Sequence, residues 1–282
     1  MIRILVDSSS DYTLAEIKEK NMELLPISIA IGEKTYVDGI DMGRDEFYEI
    51  LERSGEFPKT SQPSPQEFLD VFEDAKEKGD ELICILLSSG LSGTRQTAVM
   101  AKSMVDYEQI HIIDSLSATY TIKEMADYAC KLRADGKTAK EIVTAVEEMK
   151  SKVKVVAALD TLEYLGRGGR ISKTVATIGD MANIKPIITV TEKGEIGMLG
   201  KCIGRNKAIS YIIKHLQELE IDPDFPVYVI YSYGTDNCQR FETKLEKEGI
   251  QIADRLQIGS TIGAHIGPEA FGIIFVERVS GK

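Results

Sequence analysis

The chain has 282 residues, with 34 basic and 45 acidic side chains and a net charge of −11. That balance excludes nucleic acid as the main partner, because such binding rests on phosphate neutralisation, and disfavours adsorption to anionic membranes. Hydrophobic content of 43% is enough for a large core in one or two domains, yet no apolar run is long enough to cross a membrane.

The first residues, Met1-Ile2-Arg3-Ile4-Leu5-Val6-Asp7, reach an acid too soon for a signal peptide and read as a first strand. Thr13 and Glu16 form a capping box that opens a helix. Residues 24–31 and 35–37, either side of Gly32-Glu33-Lys34, read as a hairpin, and a second helix covers about 44–54. Ser64, Pro65 and Glu67 cap a third helix that leads to the apolar run 82–87. A helix after Thr94, a strand over 110–113, a helix over about 122–135 and a capped helix from Thr138 follow. Strand and helix in regular alternation imply a parallel sheet with helices on both faces.

After residue 152 the pattern changes. Residues 153–159 read as a strand, 186–191 and 195–202 as an antiparallel hairpin, and 226–232 and 271–278 as further strands between helices over 206–219 and 237–248. The expectation is a two-lobed α/β protein. An N-terminal domain over 1–152 carries a parallel sheet in α/β/α layers, a C-terminal α+β domain over 153–282 carries a mixed sheet, and the ligand sits between them. Cys84, Cys130, Cys202 and Cys238 are scattered without Cys-x-x-Cys spacing, which points to a reduced, cytoplasmic protein without disulfides or structural zinc.

The segment Leu87-Ser88-Ser89-Gly90-Leu91-Ser92-Gly93-Thr94 turns a strand into a helix through hydroxyls and glycines. Such a turn leaves backbone N–H groups free for an anion, and without a Lys it is not a P-loop. It also approaches the nucleophile elbow Gly-x-Ser-x-Gly, with Thr94 in place of the last glycine and His265 downstream. Anion binding, simple helix capping and a serine esterase using Ser92 and His265 all remain open on these residues. Thr60-Ser61-Gln62 supplies two hydroxyls and an amide before a capped helix, and Arg170 follows two flexible glycines. The run from Ile258 to Pro268 surrounds a single His with glycines, as a close backbone approach to a ligand would require. Asp7, Asp11, Asp38, Asp41 and Asp114 suit turns and caps, and no spacing specifies a metal site. Arg167, Lys173, Lys201, Arg205 and Lys207 form a basic set on an acidic protein, a solvated face or a docking patch for an acidic partner.

Together these residues resemble the DegV family of bacterial proteins. The matching segments are Asp7-Ser8-Ser9-Ser10-Asp11, Tyr36-Val37-Asp38-Gly39-Ile40-Asp41, Thr60-Ser61-Gln62-Pro63-Ser64-Pro65, the run 87–94, Asp114-Ser115, Gly168-Gly169-Arg170-Ile171-Ser172, Ile184-Lys185-Pro186-Ile187 and Gly263-Ala264-His265-Ile266-Gly267-Pro268. The resemblance implies one long-chain fatty acid held between two lobes, with no further cofactor. It also implies a non-catalytic role, presenting the carboxylate to a separate ATP-dependent fatty acid kinase that makes an acyl phosphate. On the same ground, Thr60, Ser92, Arg170 and His265 would bind the carboxylate, Ser61 and Thr94 would support it, and Lys201 and Arg205 would dock the kinase. The chain departs from the family pattern at Arg95, at Ala118-Thr119-Tyr120-Thr121, where Tyr120 bears on chain length, and at Glu269, which bears on the polarity beside His265. Physically, a tail of roughly sixteen carbons contributes up to about 13 kcal/mol gross by burial, so the tail dominates affinity and the polar groups orient the head.

Overall fold

The computed structural model describes residues 1–172 and 183–278; Lys173 lies outside them. Strands β1 (Ile2–Asp7) and β6 (Glu81–Leu86) carry the apolar runs Ile4-Leu5-Val6 and Leu82-Ile83-Cys84-Ile85-Leu86, the pattern of strands covered on both faces. They pair in parallel, with β2 (Glu23–Leu25) and β7 (Ile110–Asp114) at the edges, in the order β2-β1-β6-β7. Alternate side chains go to opposite faces, as the pleat requires. Leu5, Leu82 and Cys84 pack on α3 (Pro65–Lys78) and α4 (Thr94–Val105), beside Phe68, Phe72 and Ala98. Ile4, Val6, Ile83 and Ile85 pack on α5 (Tyr120–Ala134) and α6 (Ala139–Met149), beside Ile122, Met125 and Ile142.

The second sheet is mixed and runs in the order β10-β9-β8-β13-β11-β12. Its strands are β8 (Val153–Ala158), β9 (Ile184–Val190), β10 (Ile196–Ile203), β11 (Tyr228–Tyr231), β12 (Asp254–Gln257) and β13 (Phe271–Val276). Only the β11–β12 pair is parallel. Val155, Ala157, Ile188 and Ile274 share an apolar cluster with α5, which also packs on β1 and β6, so that helix is shared between the two sheets. Val156, Ile187, Ile273 and Phe275 face outward onto α8 (Arg205–Leu216) and α9 (Asp236–Lys247). The layers therefore alternate helix, parallel sheet, helix, mixed sheet, helix, which is the α/β arrangement expected from the sequence.

The strands of the mixed sheet all come from beyond residue 152, but one apolar cluster extends from Ile4 to Val276 and joins the two halves. A short helix, α10 (Ser260–Ile266), belongs to the second half by sequence. It packs against α2 (Arg44–Ser54), α7 (Glu163–Arg167) and a small antiparallel sheet of β3 (Ser28–Ile31), β4 (Lys34–Val37) and β5 (Lys59–Ser61). All three capping boxes read from the sequence form, at Thr13–Glu16, Ser64–Glu67 and Thr138–Glu141.

Three local readings need correction. The run 24–31 is not one strand, because Pro26 offers no N–H and the chain changes sheets there, β2 joining the parallel sheet and β3 the small one. Thr60 and Ser61, read only as hydroxyls before a capped helix, lie on strand β5. The glycine-rich run around His265 forms α10, its Gly263 backed so closely on α2 that a Cβ there would lie 2.4 Å from Tyr48 Oη.

Candidate functional site

Seven segments bring side chains to a cavity of about 100 Å3: the chain before β3, β5, the turn after β6, the turn after β7, α7 with the turn that follows it, the start of β10 and α10. Along β5 the pleat turns Thr60 inward and Ser61 outward, so Thr60 and then Gln62 line the cavity while Ser61 is exposed. On α10, Thr261 and His265 stand at i and i+4, as do Ile262 and Ile266, and these four share the cavity-facing side.

Arg170 is aimed by the end of α7. Arg170 N–H returns to Leu165 O at 2.9 Å and Gly169 N–H to Gly166 O at 3.1 Å, a Schellman closure with Gly169 at φ +73°. That reversal turns the guanidinium onto two carbonyls, Leu91 O at 3.0 Å and Gly168 O at 2.5 Å, at the rim of the cavity. Burial lowers its pKa, and it forms no ion pair among the described residues.

His265 Nε2 lies 2.9 Å from Thr60 Oγ1. Its Nδ1 is buried without a hydrogen-bond partner, and Gly168 stands so close that a Cβ there would lie 2.3 Å from it. Burial, and then the charge of Arg170, hold the imidazole pKa down to about 4, so the ring is neutral at pH 7. Ser92 Oγ lies 2.9 Å from Thr94 Oγ1 and also accepts from Thr94 N–H, which makes the buried Thr94 its support behind the cavity wall. The rest of the lining is apolar, including Ile27, Leu87, Leu91 and Ala118, and among the described residues no acidic side chain lines the cavity.

The Ser-Gly turn differs from its sequence reading. Its N–H groups at Ser88, Ser89, Gly90, Leu91 and Ser92 donate to Ser117 O, Asp114 Oδ1, Ser88 Oγ and, for the last two, Ser88 O. Ser88 Oγ also donates to Gly194 O at 2.7 Å, tying the turn to the hairpin of the other lobe. The turn folds onto itself and presents the Ser92 hydroxyl in place of a nest of free amides.

Three buried acids set this frame. Asp7 accepts from Leu87 N–H at 2.8 Å, Asp11 from Gly259 N–H at 3.0 Å, and Asp38 from Thr261 Oγ1 at 2.6 Å. Burial raises the pKa of all three, Asp11 to about 7. Their role is to fasten the cavity's strand end and helix to the rest of the fold. Among the described residues no group of three or more His, Cys, Asp or Glu side chains is placed to hold a metal ion. Larger hollows, of about 580 Å3 beside Pro223, about 470 Å3 beside Arg44, about 400 Å3 beside Lys244 and about 290 Å3 beside Val153, include none of Thr60, Ser92, Arg170 and His265 in their linings.

The remaining site expectations fall outside the cavity. Tyr120 is absent from the lining, since its hydroxyl donates to Gln257 O at 2.7 Å and accepts from Arg44. Glu269 turns away from His265 and pairs with Arg205 at 2.9 Å and with Asn237 Nδ2 at 2.9 Å. Arg205 also approaches Asp160 at 3.5 Å, while Lys201 is exposed on the edge strand β10. Thr261 was missed as a lining residue, and Gln62, read as an orienting amide, was left out of the carboxylate set. Strand alternation from Thr60 and helical spacing back from His265 are the signals that mark them.

Fold and site define an α/β protein with an internal cavity lined by hydroxyls, an arginine, a histidine and apolar side chains. The chain belongs to the DegV family, described as a family of uncharacterised proteins, which matches residues 1–278. It is 38% identical over 280 residues to a DegV domain-containing protein, TTE1491, of Caldanaerobacter subterraneus subsp. tengcongensis, covering 98% of this chain and 99% of that one. A fatty-acid-binding DegV family protein from Thermus thermophilus superposes with a TM-score of 0.87 at 26% identity, covering 98% of this chain and 99% of that one. A stearic acid-binding protein from Eubacterium ventriosum superposes with a TM-score of 0.84 at 28% identity, covering 98% of each chain.

Proposed function

We propose that this protein binds one long-chain fatty acid, its carboxylate among Thr60, Ser92, Arg170 and His265 and its tail along the apolar lining. The observation that carries this is Arg170, a half-buried cation without an ion pair among the described residues, set beside two hydroxyls at the polar end of an otherwise apolar cavity. A carboxylate satisfies that cation, and hydroxyl donors strengthen when they point at a charged acceptor. The neutral His265 fits the same role. With its proton on Nε2 it donates to Thr60 Oγ1 and turns the Thr60 hydroxyl toward the ligand as a donor. Two solved relatives, described as fatty-acid-binding and as stearic acid-binding, favour the same ligand class.

The protein itself is non-catalytic in this reading and presents the carboxylate to a separate ATP-dependent kinase, which forms the acyl phosphate. A carboxylate is already a nucleophile and needs no general base, which suits an imidazole whose pKa is about 4. The turn before α4 uses the amides of Ser88 to Ser92 inside the protein and carries no Lys, so it is unsuited to cradling the phosphates of ATP. Lys201 and Arg205 are the candidate docking cations. A serine esterase fits less well. Ser92 is bonded to Thr94, His265 to Thr60, and no third group orients the imidazole through Nδ1.

Protein purified from cells, denatured and extracted, is expected to release about one fatty acid per chain by mass spectrometry. Lipid-free protein that also fails to take up added fatty acid would overturn the reading.

A further inference from the structure

The Thr60 and Ser92 hydroxyls each have a support of their own, His265 and Thr94, but they stand on separate elements. Thr60 lies on β5, a three-residue edge strand that pairs only with β3. Ser92 lies in the turn before α4. Among the described residues a single hydrogen bond joins residues 59–64 to residues 87–105: Gln62 Nε2 donates to Thr97 Oγ1 at 2.6 Å.

Gln62 follows Thr60 by two residues, so the pleat sends both side chains to one face, and it lines the cavity beside Thr60 and Ser92. Its amide lies close against the turn. A Cβ at Gly93 would stand 2.3 Å from Gln62 Oε1 and 3.1 Å from its Cδ. The backbone at Gly93, φ −78° and ψ 2°, is open to alanine, so the room left for Gln62 is what this glycine provides. The orientation of the amide is fixed as well. Thr97 Oγ1 donates its one proton to Gly93 O at 3.3 Å, so at Gln62 it accepts, and the NH2 group faces α4. Gly93 and Thr97 themselves are outside the cavity lining.

We propose that Gln62 is a positioning residue: held between Gly93 and Thr97, it sets the spacing of Thr60 and Ser92 so that both hydroxyls reach one carboxylate. This rests on the fatty-acid reading of the cavity and adds to it the group that fixes the geometry of the polar end. Two donors converge on a carboxylate only when their separation is right, and a neutral alcohol with one oxygen gains less from the pair. Loosening the clamp therefore weakens the acid more than the alcohol. A role in the fold alone would weaken both ligands alike.

Gly93→Ala and Thr97→Val disturb the clamp from its two sides and leave Gln62 in place. The first pushes the amide aside, and the second removes its acceptor. Gln62→Met removes the amide itself, and because Gln62 is exposed on its outer side this variant does not threaten the fold. Lipid-free proteins are titrated with a long-chain fatty acid and with the primary alcohol of the same length, and thermal unfolding checks that each is folded. Each single variant is expected to lower the preference for acid over alcohol about threefold to tenfold. Gln62→Met combined with Thr97→Val is expected to lose no more than either alone. Wild-type preference in Thr97→Val beside a lost preference in Gln62→Met would make Gln62 a direct ligand contact and overturn the positioning role. Additive losses in the double variant, folded variants that keep the wild-type preference, or equal weakening of acid and alcohol would overturn it too. Wild type that binds neither ligand, or both equally, refutes instead the fatty-acid reading on which the role rests.

Discussion

Gly168→Ala probes the polar end through a residue that contacts His265 and lies beside the cavity wall. The backbone at Gly168 is right-handed, φ −71° and ψ −12°, so alanine fits it and gains up to about 1 kcal/mol of helix propensity. The obstacle is the imidazole, because the new methyl would lie 2.3 Å from Nδ1 and 3.1 Å from Tyr164 O. Ordinary van der Waals separation requires the ring to retreat by roughly 1 Å, and the 2.9 Å contact of Nε2 with Thr60 Oγ1 cannot survive that. A donor to a charged group is worth about 1.5–3 kcal/mol, so fatty-acid affinity should fall about 10- to 150-fold. Stability should change less, because overpacking costs of about 1–3 kcal/mol are partly offset by the helix gain. Calorimetric titration of lipid-free protein reads the affinity, and thermal unfolding reads the stability. The double variant with His265→Ala closes the cycle: once the ring is gone, Gly168→Ala should cost no further affinity and should raise the unfolding temperature. Wild-type affinity in Gly168→Ala, or additive losses in the double variant, would refute this placement of His265.

Other expectations follow from the same geometry. The folded pKa of His265 lies near 4, below its ordinary 6.5, so its contribution is complete above pH 6.5 and is lost as pH falls toward 4. The difference between wild type and His265→Asn in denaturant titrations should therefore shrink by about 3 kcal/mol over that range, and a constant difference would contradict the burial of the ring. Thr60→Val and Ser92→Ala should each weaken fatty-acid binding about tenfold or more, whereas Ser61→Ala, on the exposed face of β5, should leave binding and stability within about 0.5 kcal/mol. Equal losses at Ser61 and Thr60 in the same titration would place β5 the other way round. A fluorophosphonate should not label Ser92, since no base is bonded to its hydroxyl; labelling abolished by Ser92→Ala would revive the esterase.

What the sequence made legible follows the physics of each signal. Capping boxes are local and complete in four residues, and Thr13, Ser64 and Thr138 all form them. Doubly covered strands show as short, mostly apolar runs, so β1, β6 and β8 were readable. Short β5 was hidden, because three residues of Lys-Thr-Ser acquire strand geometry only by pairing with β3. Helix α10 was hidden for another reason. Its glycine and alanine look like loop composition, yet they mark a close approach to Tyr48 and Phe47 that exists only in the fold. The Ser-Gly turn looked like an amide nest because Asp114, which takes one of its N–H groups, is distant in sequence. Thr60, Ser92, Arg170 and His265 converge on one cavity although the first and last are 205 residues apart, a convergence that the family resemblance implied and local pattern could not supply.

The carboxylate is the core of the proposed function, and the most direct measurement compares two ligands that differ only there. Lipid-free protein is titrated with a long-chain fatty acid and with the primary alcohol of the same length, in wild type and in Arg170→Met. The acid should bind wild type about tenfold or more tightly than the alcohol, with that preference largely lost in Arg170→Met. Equal affinity for acid and alcohol in wild type, or a preference for the acid that survives loss of the guanidinium, would contradict it.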